Sequence, residues 1–247
     1  DVLLTGGDPL VFSDERLEWL LAELRAIPHV ELIRLGTRLP VTLPFRVTDA
    51  LCRMLERYHP LWVNTHFNHP RELTPDAALA CDRLSRAGIP IGNQSVLLRG
   101  INNTPREMLD LCFMLIDHAK ILPYYFYMCD MIPNSEHWRG AVWEAQQLQH
   151  DIMGYLPGFA TPRIVCDVPF VGKRWVHQLA DYDREKGISY WTKNYLTSIE
   201  WGDAEKLSQK HEYYDPIHTL PESGQAWWRA HAAEMRGRHE STDPLRA

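Results

Sequence analysis

The run Asp1-Val2-Leu3-Leu4-Thr5-Gly6-Gly7-Asp8-Pro9-Leu10 reads as a short buried strand broken sharply at Gly6-Gly7-Asp8. Two glycines let the backbone pass close to a ligand and present its N–H groups with no Cβ in the way. Asp8 beside them offers an acidic group suited to an ammonium ion. Alone, Gly-Gly-Asp after a strand is an ordinary turn. Its weight comes from the repeat that it heads.

Downstream, Ser13-Asp14-Glu15 signals a helix start, followed by Leu17, Leu20, Leu21 and Leu24 at helical spacing. Val30–Leu35 reads as a second strand, ending at Gly36-Thr37-Arg38, and Thr48 starts a helix carrying Leu51, Met54 and Leu55. Leu61–His66 is a third strand. Thr74-Pro75 opens a helix that Gly88 closes. Ile89–Val96 is a fourth strand, Thr104-Pro105 begins the next helix, and Pro123–Met128 is a fifth strand ending at Cys129-Asp130. The strands recur at about 30 residues, the size of one βα unit. Such a repeat builds a parallel sheet by right-handed crossovers, either doubly wound or a (βα) barrel. Every strand ends in polar, reactive residues: Gly7-Asp8, Thr37-Arg38, Asn64–His66, Asn93-Gln94 and Tyr127–Asp130. Barrels build their sites from the C-terminal strand ends, so a partial barrel is the expected fold.

Beyond Asp130 the pattern loosens. Trp143–Met153 reads as a helix and Arg163–Cys166 as a strand ending at Asp167, and Pro169–Gly172 is a tight turn delivering Lys173. Residues 186–199 read as a hairpin arm, and the stretch from about 200 as a polar tail with Trp227-Trp228 on a peripheral helix. Three regions are expected: a partial barrel over 1–160, the lysine strand, turn and arm over 161–200, and a peripheral tail over 201–247.

The 247 residues are 45% hydrophobic and 23% charged, an ordinary balance for a soluble globular chain. A net charge of −6 with scattered basic residues argues against nucleic-acid binding. No apolar run approaches membrane-spanning length, and a cytoplasmic protein is expected. Cys52, Cys81, Cys112, Cys129 and Cys166 show no CxxC pair and read as buried reduced thiols. The chain begins inside a strand, at Asp1 rather than Met, which reads as a fragment lacking its N-terminal portion.

Asp130 and Asp167 each end an apolar strand and so face one cavity, where paired carboxylates do acid–base work or bind a cationic amine. Lys173, one tight turn beyond Asp167, is a candidate for a Schiff base. Lys186 and Lys193 are weaker candidates, with polar neighbours that suggest exposure. His66 and His69 form an HxxH pair with no local carboxylate to complete a metal set, which favours hydrogen-bonding roles.

The runs LLTGGDPL (3–10), IRLGTRLPV (33–41), WVNTHFNHP (62–70), IGNQSVLLRG (91–100) and PYYFYMCD (123–130) together resemble the lysine 2,3-aminomutase family of radical S-adenosylmethionine (SAM) enzymes. They come in that family's order and nearly at its spacing, over roughly residues 1–175. The resemblance implies an α/β fold, a partial (βα)6 TIM-like barrel of the radical SAM type. It lacks its first strand and cluster loop in this chain. It also implies an isomerase that uses a 4Fe–4S cluster, SAM and pyridoxal phosphate (PLP) to move an amino group from C2 to C3. The simplest case is L-lysine to L-β-lysine in a homo-oligomer. By the same resemblance Gly6, Gly7, Asp8, His66 and Gln94 match SAM contacts. Tyr127 matches an aromatic at the substrate and PLP site, Asp130 and Asp167 match the pair that holds lysine's distal ammonium, and Lys173 matches the PLP lysine.

The chain departs from the family in four places. The three-cysteine cluster motif and the neighbouring arginines lie upstream of Asp1, so the fragment alone is expected to be inactive. The usual glycine run before Lys173 is replaced by Pro169-Phe170-Val171-Gly172, no cysteine follows Cys166, and the arm is richer in Trp and Tyr. Arginine or another cationic amino acid is the alternative substrate. Rival readings are a non-catalytic barrel that binds PLP or an amine, and a hydrolase using His66 and His69 on a metal.

Overall fold

A computed structural model describes residues 1–241. Its first ten elements in the main run are β1 (Val2–Leu4), α1 (Asp14–Arg25), β2 (Ile33–Gly36), α2 (Leu39–Thr42), α3 (Asp49–Glu56), β3 (Leu61–Thr65), α4 (Pro75–Arg86), β4 (Ile91–Leu97), α5 (Pro105–Ala119) and β5 (Leu122–Met128). There follow α6 (Val142–Ile152), β6 (Arg163–Val168), β7 (Gly172–Trp175), β8 (Asp181–Asp183), β9 (Ile188–Trp191), β10 (His211–Tyr214) and α7 (Glu222–Ser241). The larger sheet runs β1-β2-β3-β4-β5-β6-β7, each neighbour next in sequence. A doubly wound sheet reverses its order at a switch point. This one does not, and the barrel-type reading of the repeat holds.

By its contacts the chain divides into two compact units: Asp1–Ser95, Thr104–Tyr125 and Ile152–Pro162 form the first, and Val96–Asn103, Phe126–Asp151 and Arg163 onward the second. In the first unit β1–β2, β2–β3 and β3–β4 pair in parallel. Ile33, Leu35, Leu61 and Val63 alternate into a core that Leu17, Leu21, Leu51, Leu55 and Leu84 complete from the helices. Helix starts follow from local chemistry. Ser13, Thr48, Thr74 and Thr104 each accept a hydrogen bond from a first-turn N–H, and Pro75 and Pro105 occupy the position where no N–H is needed.

Arg25, the last residue of α1, ties the entry side of this unit. Its guanidinium donates to the carbonyls of Val30 and Glu31 ahead of β2 and of Tyr58 and Pro60 ahead of β3, at 2.5 to 3.3 Å. Arg25→Ala leaves those carbonyls without their charged donor. An expected loss of roughly 3 kcal/mol in urea denaturation follows from charged hydrogen bonds of this kind.

In the second unit β6 and β7 pair antiparallel, and β8, β9 and β10 form a separate antiparallel sheet in the order β10-β9-β8. The expected hairpin over 186–199 is therefore corrected. Its strand β9 pairs with 181–183 and 211–214, which lie outside it. Trp228 and Met235 are buried with Ile188, Tyr214 and Leu220, so the stretch read as a polar tail carries a core of its own. Aromatic residues spread through polar sequence leave no periodic signature for such a core. The end of the expected tail, 242–247, lies outside the described residues.

Asp215, buried just after β10, accepts from the Val142 N–H at the start of α6 and from the Tyr182 hydroxyl. Burial raises its carboxyl to about 6, against which these hydrogen bonds and Arg139 act. An acid whose folded pKa is raised stabilises the fold at low pH and loses that contribution as pH climbs through the folded value. Asp215→Asn keeps an acceptor for Val142 and cannot ionise. Its stability advantage over the parent is expected to grow by on the order of 2 kcal/mol between pH 4 and pH 7.5, read by urea denaturation.

Candidate functional site

The strand ends of the first unit gather one polar cluster. Gly6 and Gly7 adopt φ of +89° and +74°, a left-handed run open to glycine, and no atom lies within 4 Å of where a Cβ would stand. The Asp8 carboxylate braces two strand ends. It accepts from Leu10 N–H at 3.0 Å, Thr37 hydroxyl at 2.7 Å and Arg38 N–H at 2.7 Å. The Thr37 hydroxyl also lies 2.9 Å from the other carboxylate oxygen, so both oxygens are engaged. Arg38 then pairs with Glu72 at 2.8 Å, and Glu72 also accepts from the Asn68 N–H at 2.6 Å.

His66 follows the end of β3. The loop after it is pinned by a buried network in which Asn93 accepts from Phe67 N–H at 2.7 Å and donates to Phe67 C=O at 3.0 Å. Ser95 donates to the same carbonyl at 2.6 Å. Burial, and next the Arg38 charge, lowers the His66 pKa, with Glu72 opposing. The imidazole is held neutral, with one nitrogen free to accept. Its Nε2 is buried without a partner, as are Asn64 Nδ2 and Thr65 Oγ1 beside it. Asn64 and His66 share one face of the strand and Thr65 takes the other; each stranded polar atom costs about 1–3 kcal/mol unless something completes it. Gln94 lies on β4 and is half-buried. His69 caps a short turn, its Nδ1 accepting from Arg71 N–H at 3.1 Å, which is a hydrogen-bonding role.

The second unit holds the other residues singled out by sequence. Lys173 is not on the turn itself but on β7, in register with Asp167 of β6, so both project from one face as a cross-strand pair. The exposed Lys173 Nζ stands 4.7 Å from the centroid of the Tyr127 ring. Asp130 lies two residues past β5. Its pKa is raised by burial first and by the charge of Asp167 second, with Arg139 opposing, so Asp130 senses the Asp167 carboxylate. The turn before Lys173 carries Phe170 at φ +63° and Gly172 at φ +81°. Phe170 is thus a left-handed non-glycine residue, a strained position three residues before Lys173.

The two weaker lysine candidates are committed elsewhere, and neither is the freely exposed residue its polar neighbours suggest. Lys193 forms an ion pair with Glu200, the side chains only 11% and 14% exposed, and Lys186 pairs with Asp183 at 3.1 Å and lies over the Trp227 ring. Glu200 is held down to about 2 by Lys193 first and then by Thr197. Sequence reading missed Arg139, which is buried and donates to the carbonyls of Tyr214 and Cys129, holding the segment that carries Asp130. No local pattern marks such an arginine.

The cysteines are not a metal set. Among the described residues no group of three or more His, Cys, Asp or Glu is placed to hold a metal ion. Burial pushes Cys52 up to about 11 and Cys81 and Cys112 up to about 12, thiols rather than thiolate ligands. No helix among the described residues is long and apolar enough to cross a membrane.

No family model matches the chain. It is 50% identical over 169 residues to L-lysine 2,3-aminomutase of Fusobacterium nucleatum, a match covering 68% of this chain and 40% of that protein. A putative L-lysine 2,3-aminomutase of Aquifex aeolicus is 45% identical over 201 residues, covering 81% of this chain and 54% of that protein. Glutamate 2,3-aminomutase of Clostridioides difficile is 42% identical over 190 residues, covering 77% and 44%. A radical SAM methyltransferase from Sphaerobacter thermophilus, 13% identical, superposes with a TM-score of 0.41 over 55% of this chain and 40% of that one, too low to carry an argument. The chain thus spans about 40% of the length of the first of these relatives. Over the stretch they match, it belongs to the lysine 2,3-aminomutase family.

Proposed function

We propose that the protein carrying these residues is a radical SAM, PLP-dependent isomerase that moves the amino group of L-lysine from C2 to C3. The carrying observation is the second unit's constellation: Asp130 close enough to Asp167 to be perturbed by its charge, with Lys173 in register beside Asp167 and its Nζ against Tyr127. A carboxylate whose charged form is disfavoured by a second carboxylate is relieved by a cation, and a substrate ammonium is such a cation. A side-chain carboxylate would be repelled, which favours lysine over glutamate.

Lys173 offers a primary amine on a rigid strand for the pyridoxal aldehyde, and Tyr127 presents an aromatic face to the same place. PLP, when bound, supplies the delocalisation that an amino migration needs. In the first unit, Gly6 and Gly7 leave backbone room, Asp8 adds a negative charge beside them, and His66 Nε2 and Asn64 Nδ2 lack partners; these features fit SAM. SAM supplies the hydrogen-abstracting group. The five cysteines do not fit an iron–sulfur cluster, so its ligands are assigned to the rest of the whole protein. Anaerobic assay of the reconstituted full-length protein against lysine, arginine, ornithine and glutamate tests the reading. Turnover of lysine to β-lysine is expected; turnover of glutamate alone would overturn it.

A further inference from the structure

Asn64 sits in a row that nothing else in the first unit repeats. Its partner in register on β2 is Gly36 and on β4 is Gly92, so the row has one side chain across three parallel strands. A Cβ at Gly92 would rest 3.7 Å from Asn64 Oδ1 and 3.5 Å from Tyr124 Cβ, and one at Gly36 would meet Leu3, Leu4 and Thr5 at 3.6 to 3.8 Å. Both positions would accept an alanine without collision, so local packing does not demand the glycines. Their effect is to leave Asn64 the one side chain of its row, with Leu3 flanking Gly36 and Tyr124 flanking Gly92.

Asn64 is 6% exposed, and its Nδ2 has no hydrogen-bond partner. By strand alternation its side chain shares a face with Trp62 and, one residue past the strand end, with His66. Thr65 gives the contrast. Its Oγ1 is equally stranded, and the residue is 1% exposed, but it projects to the opposite face, in register with the buried Asn93. Thr65 therefore carries an unmet hydroxyl among core groups, whereas Asn64 carries an unmet donor on the face of His66.

We infer that Asn64 is a ligand-positioning residue, its carboxamide completed by a hydrogen-bonding group of the bound SAM between Gly36 and Gly92. The inference rests on the proposed SAM-binding function of this unit. An unmet buried amide weakens the unliganded protein and is repaid on binding, so stability and affinity should respond to substitution in opposite directions.

The test uses reconstituted full-length protein, SAM titration calorimetry and thermal unfolding without ligand. Asn64→Leu, a near-isostere, is expected to raise the unliganded Tm by about 2–4 °C. It should weaken SAM binding at least tenfold and shrink the SAM-induced Tm rise. Thr65→Val is expected to raise Tm similarly with SAM affinity unchanged. SAM affinity within twofold of wild type in Asn64→Leu, or a lowered unliganded Tm, overturns the inference while leaving the proposed function standing. Should the leucine variant not fold, Asn64→Ala is read by the same affinity criterion. A wild-type protein that binds no SAM overturns the function and the inference together.

Discussion

On the proposed function, Lys173→Ala in the full-length protein is expected to abolish the visible absorbance of lysine-bound pyridoxal phosphate and to lower turnover by roughly three orders of magnitude or more, the scale on which a deleted covalent group acts. The expectation rests on placement. Lys173 stands on β7 with its Nζ 4.7 Å from the Tyr127 ring centroid, and its strand is locked in register to β6 by four residue pairs. Lys193 is tied into the Glu200 pair and Lys186 to Asp183, so Lys193→Ala and Lys186→Ala should keep the absorbance. Persistence of the band in Lys173→Ala, with its loss in Lys193→Ala, would move the assignment to the arm.

Asp130→Ala is expected to weaken substrate binding by about 10- to 100-fold, the free energy of a charge-assisted hydrogen bond, with SAM affinity little changed. The charged form of Asp130 is disfavoured by burial and then by Asp167, so its pKa lies above the ordinary aspartate value. Only the carboxylate holds an ammonium. Substrate affinity should therefore fall as pH is lowered through that raised pKa, sooner than for an ordinary aspartate, and Asp130→Asn should flatten the profile. Equal losses of substrate and SAM binding would refute the clamp.

Much of the scaffold was legible because its signals are local. Ser13, Thr48, Thr74 and Thr104 cap helices by a side chain acting on the next turn, and apolar alternation with a βα-sized repeat fixed the parallel strands. What failed was non-local. Placing Lys173 opposite Asp167 needs the β6–β7 register, which depends on where the three-residue turn that holds left-handed Phe170 closes. The buried commitments of Arg139 and Asp215 join residues more than seventy positions apart. Gly36, Asn64 and Gly92 could have been found: they stand at equal intervals along the chain, one βα unit apart, although only the register makes them a row.

The Arg25 clamp has a consequence for how this protein can change over generations. It gathers four carbonyls at the entry ends of β2 and β3, whereas Asn64 and His66 lie at the exit end of β3 and Asp8 lies past the exit end of β1. Cohesion and the proposed ligand recognition thus fall at opposite ends of β3. Substitutions at the exit edge can be explored with the entry edge still holding the fold together, so new ligand preferences arise on a scaffold whose robustness they leave largely untouched. An arginine remote from any chemistry is in this sense a source of evolvability.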